Sequence, residues 1–559
     1  MFKRIFIIVF IVSVFLFTGC NSNDSIKSTK NHQGKGIEKP AIEVFHNKNA
    51  RMAVAHAIDK EYIEKVVLGD GSVEADYIVA KGYCFDENGN DFRLQNLKGY
   101  YHYDENKAKE YWNKAKEEVG FEKTKAKFLV YDDEGRRKVA EYIQSQLIKN
   151  LEGLEVVMDI QPFKNKVDMA KKGEWDIDFG GWGGSYPDPQ TYLELFYNGY
   201  SLNFGQYVNN EYSKIIDDAK FGDLAVNPEK RWTELNRAEK ILLEEDIAVV
   251  PIAQVGTSML VKSNIKNFKV LPAYQGEYMF RFIEKITNEE RSIVKTIATL
   301  DLPTVDPTMS NATQSSTVLA NIMEGLTQID EGGSVKLAGA KSYDISENGL
   351  KYIFYLREDA KWQNGEEVTA YDYEFSWKRL ANPDTGSDMS TLLGTAGIKN
   401  AQQVIKGEAD VNDLGIRAVD KYTFEVELDV PVAFFLRLIA KPTFSPINEK
   451  FYNAHKEKYA TTVEDTLSNG AYIMETWEYG YGYSIVKNEL YWDKNSVRND
   501  GASFRILKDT SAAVNLYNTG EIDIVPITGE FVNSYSESDE MVQFVKPRTY
   551  WIHFNFREK

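Results

Sequence analysis

The chain has few of the side chains on which catalysis and metal binding usually depend. Its 559 residues contain 2 cysteines and 6 histidines, and no two histidines have the spacing of a metal-binding helix. It contains no phosphate-binding glycine loop, no dinucleotide-binding glycine motif and no serine nucleophile elbow. Carboxylates are abundant, but nothing in the sequence pairs two of them as acid and base. We therefore expect no enzyme, no cofactor and no metal site; a hydrolase would need a nucleophile and base that the sequence does not offer.

Basic residues are outnumbered by acidic ones. The chain carries 66 basic and 84 acidic residues, a net charge of -18, and the two signs are interspersed. Binding of nucleic acid requires clustered Lys and Arg, so we expect no nucleic-acid partner. Aromatic residues, at 13%, are plentiful enough to line a wide ligand groove as well as a core. The length exceeds what one hydrophobic core supports, so two or three domains are expected.

The N-terminus has the pattern of a targeting segment. Lys3 and Arg4 precede an apolar run over 5–17, which is shorter than the roughly twenty residues of a membrane span. Residues 16–20, Leu-Phe-Thr-Gly-Cys, resemble a bacterial lipobox, with Phe17 where Leu is usual. This predicts a lipoprotein signal peptide over 1–20, diacylation of Cys20 and a flexible tether over 21–39. Cys84 then has no disulfide partner, and we expect a small buried side chain there.

Helical and strand patterns alternate beyond the tether, which predicts an α/β protein. Asn227 and Thr369 are expected helix N-caps. Apolar spacing predicts helices over 51–67, 136–151, 228–245 and 370–380, and strands over 127–131, 154–160, 246–251, 343–356, 422–428 and 483–486.

Two stretches carry a family resemblance. The first is KWQNG at 361–365, continuing through VTAYD at 368–372 to SWKR at 376–379, and the second is GGWGGSYPDP at 180–189. Together they resemble the oligopeptide/dipeptide-binding proteins of ABC importers. Supporting pieces are Asp306-Pro307, Glu324-Gly325-Leu326, Ser468-Asn469-Gly470-Ala471-Tyr472, Tyr491-Trp492, Gly520-Glu521-Ile522-Asp523 and Ala57-Ile58-Asp59. The resemblance extends from about residue 40 to the end of the sequence.

The resemblance implies a two-lobed periplasmic-binding-protein fold of type II, in the large peptide-binding class with an extra domain. It implies a monomer on the outer face of the cytoplasmic membrane, which captures oligopeptides between its lobes and delivers them to the permease of an ABC importer. Two alternatives stay open. The same fold could bind a dipeptide, signalling peptide, sugar or metal chelate, or the chain could be a structural or signalling lipoprotein that no longer transports.

The order of the sequence blocks departs from the family. Residues 286–559 resemble the part that comes first in relatives, and 40–285 the part that follows, so the chain resembles a circular permutation. The dipeptide Glu-Lys ends each block, at 38–39, 284–285 and 558–559. The expected division is lobe II over 40–256, the lobe I core over 257–325 and 448–559, and the extra domain over 326–447. One strand crossing between the lobes, near 256–259, is expected to remain.

The resemblance also implies a ligand site. Its glycines would let a guest backbone approach closely; the alternative is a glycine-rich turn around a core tryptophan. Ser185 stands where the family usually has an Asp that pairs with the ligand's ammonium group, and a hydroxyl cannot replace that charge. The implied ligand contacts are Gly181, Trp182, Gly183, Ser185, Tyr186, Asn311, Ala312, Thr313, Phe163, Tyr550 and Trp551.

Overall fold

A computed structural model describes residues 37–86, 88–95, 99–270, 278–331 and 333–558. The predicted signal peptide, Cys20 and most of the predicted tether lie outside these residues. Within the described ranges, no helix is both long enough and apolar enough to cross a bilayer.

The strands of the described residues are β1 (Glu38–Pro40), β2 (Val73–Glu74), β3 (Lys123–Tyr131), β4 (Leu154–Gln161), β5 (Ile177–Gly183), β6 (Val249–Val261), β7 (Ile265–Lys266), β8 (Glu284–Lys285), β9 (Ile293–Ala298), β10 (Thr327–Ile329), β11 (Val335–Leu337), β12 (Ala340–Ile345), β13 (Lys351–Leu356), β14 (Ile416–Asp420), β15 (Thr423–Glu427), β16 (Tyr472–Glu478), β17 (Gly482–Lys487), β18 (Gly501–Ile506), β19 (Ile524–Ile527) and β20 (Met541–Phe554). The two longest of these strands are β6 and β20, which run side by side.

The α-helices of the described residues are interspersed among these strands. They are α1 (Ala41–His46), α2 (Lys48–Ala57), α3 (Lys60–Tyr62), α4 (Glu105–Val119), α5 (Glu134–Asn150), α6 (Phe163–Lys172), α7 (Gln190–Leu193), α8 (Asn210–Phe221), α9 (Pro228–Lys240), α10 (Thr313–Ile322), α11 (Ala370–Ala381), α12 (Thr391–Thr395), α13 (Ala401–Ile405), α14 (Phe435–Leu438), α15 (Glu449–His455), α16 (Thr510–Asn518) and α17 (Glu530–Ser534).

The names lobe II, lobe I and extra domain denote the residue ranges expected from the sequence. One eight-stranded sheet connects the two lobes. Its order is β1-β3-β5-β20-β6-β19, with β4 paired to β3 and β2 to β6. Strands β1, β3, β4 and β5 of lobe II pair in parallel, as expected where helices cover both faces of a sheet, whereas β2 pairs antiparallel with β6. Lobe I adds the sheet β16-β17-β18-β9, and the extra domain adds β12-β13-β15-β14. The α/β expectation is confirmed.

Two strands, β6 and β20, cross between the lobes. Near its start β20 pairs with the end of β6, at Met541 and Leu260, and at its end it pairs with β5, at Phe554 and Ile177. The register of the β6–β20 pair shifts between Val545 and Thr549, at the crossing. The structure thus differs from the expected single crossing, and it places the last residues of β20 in the sheet of lobe II.

The motif residues of the C-terminal half join lobe I to the extra domain and hold the two segments of lobe I together. Arg379 forms a two-point ion pair with Asp306, at 3.0 and 2.7 Å. Glu324 accepts a hydrogen bond from the indole nitrogen of Trp492 at 2.6 Å and another from the Tyr491 hydroxyl. Buried charged groups need such partners. These residues therefore have structural roles.

Most predicted elements form, although α9 ends at Lys240 and β6 begins at Val249 and continues to Val261. Two further elements differ in kind. The helix expected over 51–67 is interrupted at Ile58, after which the Asp59 side chain caps a new turn by accepting from the Tyr62 amide. The strand expected over 343–356 is a hairpin of β12 and β13, because the turn residues Ser346 and Asn348 interrupt the apolar run. Cys84 is fully buried, as expected.

Candidate functional site

The strand β5 is paired on both edges only at its beginning. Ile177 and Asp178 pair with Phe128 and Leu129 of β3, while the whole of β5 pairs with β20. Beyond that point β3 continues alongside β4, and residues 179–183 have β20 as their one strand neighbour among the described residues. The sheet therefore forks here. An unpaired strand edge can accept an extended segment through backbone hydrogen bonds.

The glycines of β5 and of the loop after it are required by the protein's own aromatic side chains. A Cβ at Gly181 would lie 2.5 Å from the Cδ1 atom of Tyr550. A Cβ at Gly184 would lie 2.2 Å from the Cε1 atom of Tyr83. Packing alone thus accounts for these two glycines. The expectation that they admit a guest backbone stays a prediction.

Aromatic and guanidinium groups line the open side of the fork. Tyr131, the last residue of β3, stacks on Phe163 with ring centroids 5.6 Å apart. The Arg136 guanidinium lies 4.4 Å from the Tyr131 ring centroid and 4.9 Å from that of Tyr550. Phe163 is 70% exposed. The structure thus connects two predicted contacts, Phe163 and Tyr550, through Tyr131 and Arg136, two residues that sequence reasoning did not identify.

A buried ion pair lies next to the Tyr131 ring. The Lys166 Nζ atom lies 2.5 Å from the Asp178 Oδ1 atom and 4.3 Å from the Tyr131 ring centroid. Burial raises the pKa of Asp178, while Lys166 acts in the opposite direction. Because each charge balances the other, the pair fixes α6 against β5 and adds no net charge to the fork.

The two predicted tryptophans differ in exposure. Trp182 is half-buried, and its indole nitrogen donates to the Thr191 Oγ1 atom at 3.4 Å. Trp551 is 4% exposed and packs edge-on against Phe196, with ring centroids 5.9 Å apart. Trp182 therefore borders the fork, whereas Trp551 belongs to the core of lobe II.

The loop after β5 contacts the extra domain. The Ser185 amide donates to the Thr191 Oγ1 atom at 3.0 Å, and the Ser185 carbonyl accepts from the Lys441 Nζ atom at 2.7 Å. Tyr186 is 4% exposed and stacks on Phe434 at 4.6 Å. Ser185 and Tyr186 thus lie in the contact between lobe II and the extra domain, and sequence reasoning did not identify Lys441.

Asn311, Ala312 and Thr313 lie on lobe I at the start of α10. Asn311 donates to the Asp388 Oδ2 atom at 2.9 Å, at the surface. Among the described residues, no recorded hydrogen bond or ring contact joins this segment to β5. The structure therefore leaves the predicted contribution of these three residues to the ligand site untested.

A cavity of about 830 Å³ lies between lobe II and the extra domain. This volume is in the range of small-molecule and peptide side-chain pockets. Phe85, Trp232, Tyr343 and Phe434 supply its aromatic walls. Its charged lining residues are Asp86, Asp188, Glu229, Arg231, Lys336 and Arg437. This cavity was not predictable from local sequence patterns, because its walls come from segments far apart in the chain.

No group of three or more His, Cys, Asp or Glu side chains in the described ranges is placed to hold a metal ion.

Comparison with known proteins gives a family match and partial relatives. The family model "Bacterial extracellular solute-binding proteins, family 5 Middle" matches residues 17–204 and 334–559, about three quarters of the chain. A dipeptide-binding protein of Lactococcus lactis subsp. cremoris (strain MG1363) is 31% identical over 274 residues, which are 48% of this chain and 49% of that protein. A probable deoxycholate-binding periplasmic protein, YgiS, of Escherichia coli (strain K12) is 29% identical over 256 residues, 46% of this chain and 48% of that protein.

Among solved structures, the substrate-binding domain of an oligopeptide ABC transporter from Bacillus anthracis str. Ames is 39% identical. The match covers 45% of this chain and 48% of that chain, with a TM-score of 0.44. The chain spans about half the length of the curated relatives it matches.

Proposed function

The chain belongs to the bacterial extracellular solute-binding proteins of family 5, and from this premise we propose that it captures oligopeptides and delivers them to an ABC importer. The observation that carries the proposal is the open edge of β5. A guest in extended conformation would add to the sheet between β5 and the diverging β3. Recognition through backbone hydrogen bonds tolerates many side-chain sequences, which suits a peptide collector.

The surroundings of that edge support a peptide guest. Trp182 borders the strand, and Phe163, Tyr131 and Tyr550 with Arg136 provide an aromatic and cationic wall. Rigid aromatic side chains contribute much contact area at little entropic cost. We assign the ligand site to this fork. Its proposed residues are Gly181, Trp182, Gly183, Ser185, Phe163 and Tyr550, with Asn311, Ala312 and Thr313 closing from lobe I and Tyr186 and Trp551 as buried supports.

The ligand class is tested by identifying what the purified protein carries. Native mass spectrometry of the protein, followed by sequencing of released ligands, is expected to detect peptides of several lengths. Titration calorimetry with a peptide, deoxycholate, a sugar and a metal chelate then compares the alternatives directly. Tight binding of deoxycholate with no peptide binding would replace the proposal, because one relative is described as probably deoxycholate-binding.

The location of the site is tested by removing an exposed aromatic ring. Phe163→Ala is expected to weaken peptide binding about tenfold, because stacking area at the fork is lost. Its melting temperature should change little, since the ring is 70% exposed. Tyr479→Ala is the matched control, because that ring is 83% exposed and lies on lobe I. Equal affinities of both variants and the wild type would place the guest elsewhere.

We also propose lipid anchoring through Cys20, which lies outside the described residues. The lipobox supports it. Labelling of cells with radioactive palmitate is expected to mark the wild type and to leave Cys20→Ser unlabelled. An equally labelled Cys20→Ser protein would disprove the site. The family implies a monomer, which light scattering of the purified protein checks.

The exchanged block order is proposed to be a circular permutation that keeps the fold. Support comes from the segments that the permutation separates. Phe45 packs against Phe554 with ring centroids 5.4 Å apart, and His46 stacks on Phe556 at 6.2 Å. Permutation is tolerated when the joined segments lie close together. A variant in family order, with 286–559 placed before 40–285, is expected to melt within a few degrees of the wild type and to bind the same ligands.

The lobe division is a proposal too. Since the end of β20 pairs with β5 and Phe556 stacks on His46, we propose that residues 549–558 move with lobe II, while residues 448–548 move with lobe I.

A further inference from the structure

Lys441 is a buried cation at the contact between two parts of the molecule. It follows α14 in the extra domain, and its side chain is 7% exposed. Its Nζ atom donates to the Ser185 carbonyl of lobe II at 2.7 Å. This is the one hydrogen bond recorded for its ammonium group within the described ranges, although an ammonium group has three donors.

Comparison with the other buried lysines shows that Lys441 is the exception. The described residues include four buried lysines, Lys60, Lys166, Lys285 and Lys441. The first three form ion pairs with Asp76, Asp178 and Asp523, in that order. None of the described carboxylates pairs with Lys441. Burial lowers the pKa of Lys441 to about 8, and no neighbouring charge opposes that shift.

A buried charge without a counter-charge is costly, and a neutral carbonyl compensates it only in part. Folded proteins avoid this cost by pairing, as the other three lysines do. Since the partner of Lys441 belongs to a different lobe, the cost arises when lobe II and the extra domain close on each other. A carboxylate that arrives from outside and is enclosed on closure would remove it.

The position of Lys441 relative to β5 identifies what could bring that carboxylate. Ser185 lies two residues beyond Gly183, the last residue of the open strand edge. A guest strand along residues 179–183 would therefore have one end directed towards Ser185. A group at that end would meet the Lys441 ammonium.

We propose that Lys441 determines ligand specificity by supplying the counter-charge for a carboxylate at the Ser185 end of the bound peptide. The inference rests on the proposed peptide-binding function. It specifies the guest further: the end at Ser185 carries a carboxylate, from the peptide C-terminus or from an acidic side chain, and a free ammonium group is disfavoured there.

Titration calorimetry with four pentapeptides tests the proposal. The probes are pentaalanine with both ends free, its C-terminal amide, its N-acetylated form, and Glu-Ala-Ala-Ala-Ala amide. For the wild type, we expect at least one carboxylate-bearing probe to bind tenfold or more tightly than pentaalanine amide, as charge-assisted bonds exceed neutral ones. Preference for free pentaalanine identifies the C-terminus as the source, and preference for the Glu probe identifies a side chain.

Two variants assign that preference to Lys441. Lys441→Met is expected to reduce the tenfold ratio to below threefold while leaving the affinity for pentaalanine amide within threefold of the wild type. Lys441→Arg keeps the charge and is expected to keep most of the ratio. Lys214→Met, at a side chain that is 78% exposed in lobe II, is the control and should behave as the wild type. Circular dichroism of each variant confirms folding.

The outcomes separate this inference from the proposed function. Peptide binding without any carboxylate preference, or a preference that persists in Lys441→Met, overturns the inference and leaves the peptide-binding function standing. Failure of all four probes, and of the peptides sequenced from the purified protein, to bind the wild type overturns both.

Discussion

Lys285 and Lys441 are equally exposed, at 7% each, but only Lys285 forms an ion pair with a carboxylate among the described residues. The Lys285 Nζ atom lies 2.9 Å from the Asp523 Oδ2 atom and donates to the Ile293 carbonyl at 2.8 Å, so both partners belong to lobe I. The single recorded partner of Lys441 is a carbonyl on another lobe. The Lys285 charge is therefore neutralised inside lobe I whether or not a ligand is bound. The Lys441 charge, at the contact between lobe II and the extra domain, is neutralised in our proposal only by a carboxylate of the bound peptide.

The largest loss of stability is expected from removing the carboxylate that pairs with Lys285. Asp523→Asn keeps the shape of the side chain but leaves a buried ammonium group unpaired, which costs about 3–5 kcal/mol of unfolding free energy. Urea denaturation followed by fluorescence and circular dichroism measures the loss. Glu155→Gln, at an exposed pair with Lys125, is the control and should cost below about 1 kcal/mol. Equal losses of unfolding free energy in the two variants would show that burial does not determine how much each ion pair contributes to stability.

A smaller effect of opposite sign is expected from removing Lys441. Its pKa is lowered to about 8 in the folded protein, against 10.5 in the unfolded chain. The unfolded state therefore binds more protons between these values, and stability rises as the pH increases from about 8 to 10.5. At pH 7 this shift corresponds to roughly 3 kcal/mol. Because methionine also loses the hydrogen bond to the Ser185 carbonyl, we expect Lys441→Met to be more stable than the wild type by about 1–3 kcal/mol.

That advantage should shrink towards zero as the pH approaches 10.5, where the amine is neutral in the folded protein and about half of it is neutral in the unfolded chain. Denaturation of the two proteins at pH 7, 9 and 10.5 gives the comparison, with Lys214→Met as the exposed control. A difference that stays constant across this range would show that methionine acts through packing alone.

The smallest effect is expected from giving Lys441 its own carboxylate. Ser185→Asp places an acid in the loop that Lys441 contacts, and should stabilise the ligand-free protein by about 1 kcal/mol. It should also reduce the preference for carboxylate-bearing pentapeptides to below threefold and tighten binding of free-amine peptides. Ser201→Asp, in an exposed turn of lobe II, is the matched control. Unchanged ligand preference in Ser185→Asp would mean that the guest does not reach this loop.

Local patterns in the sequence predict much of the fold. The helix α5 and the strand β4 form nearly where apolar spacing places them, and Thr369 caps α11 through a reciprocal pair with Asp372. The expectations fail where a polar residue interrupts an apolar run. At Ile58 a helix stops because Asp59 can cap a new turn, and at Ser346 a strand folds back as a hairpin.

The site is less predictable because it depends on neighbours far apart in the chain. The glycines and Trp182 of β5 were recognisable as a motif, but what fills the space beside Gly184 is Tyr83, about a hundred residues earlier. Lys441 lies 256 residues from Ser185 in the chain. The residues around Lys441 in the sequence indicate neither that its side chain is buried nor that it has no carboxylate partner among the described residues. Likewise, the fork of the sheet follows from where β3 and β5 diverge, a three-dimensional property.

The burial of Cys84 makes the protein convenient for measuring lobe motion. Its side chain is fully buried, and burial raises the pKa of the thiol well above its ordinary value. Thiol-specific dyes and spin labels react with an accessible thiolate, so this residue should remain unlabelled in the folded state. In a protein without Cys20, one cysteine introduced on each lobe would then carry the only labels. The distance between these two labels would report how far the lobes move relative to each other when a peptide binds.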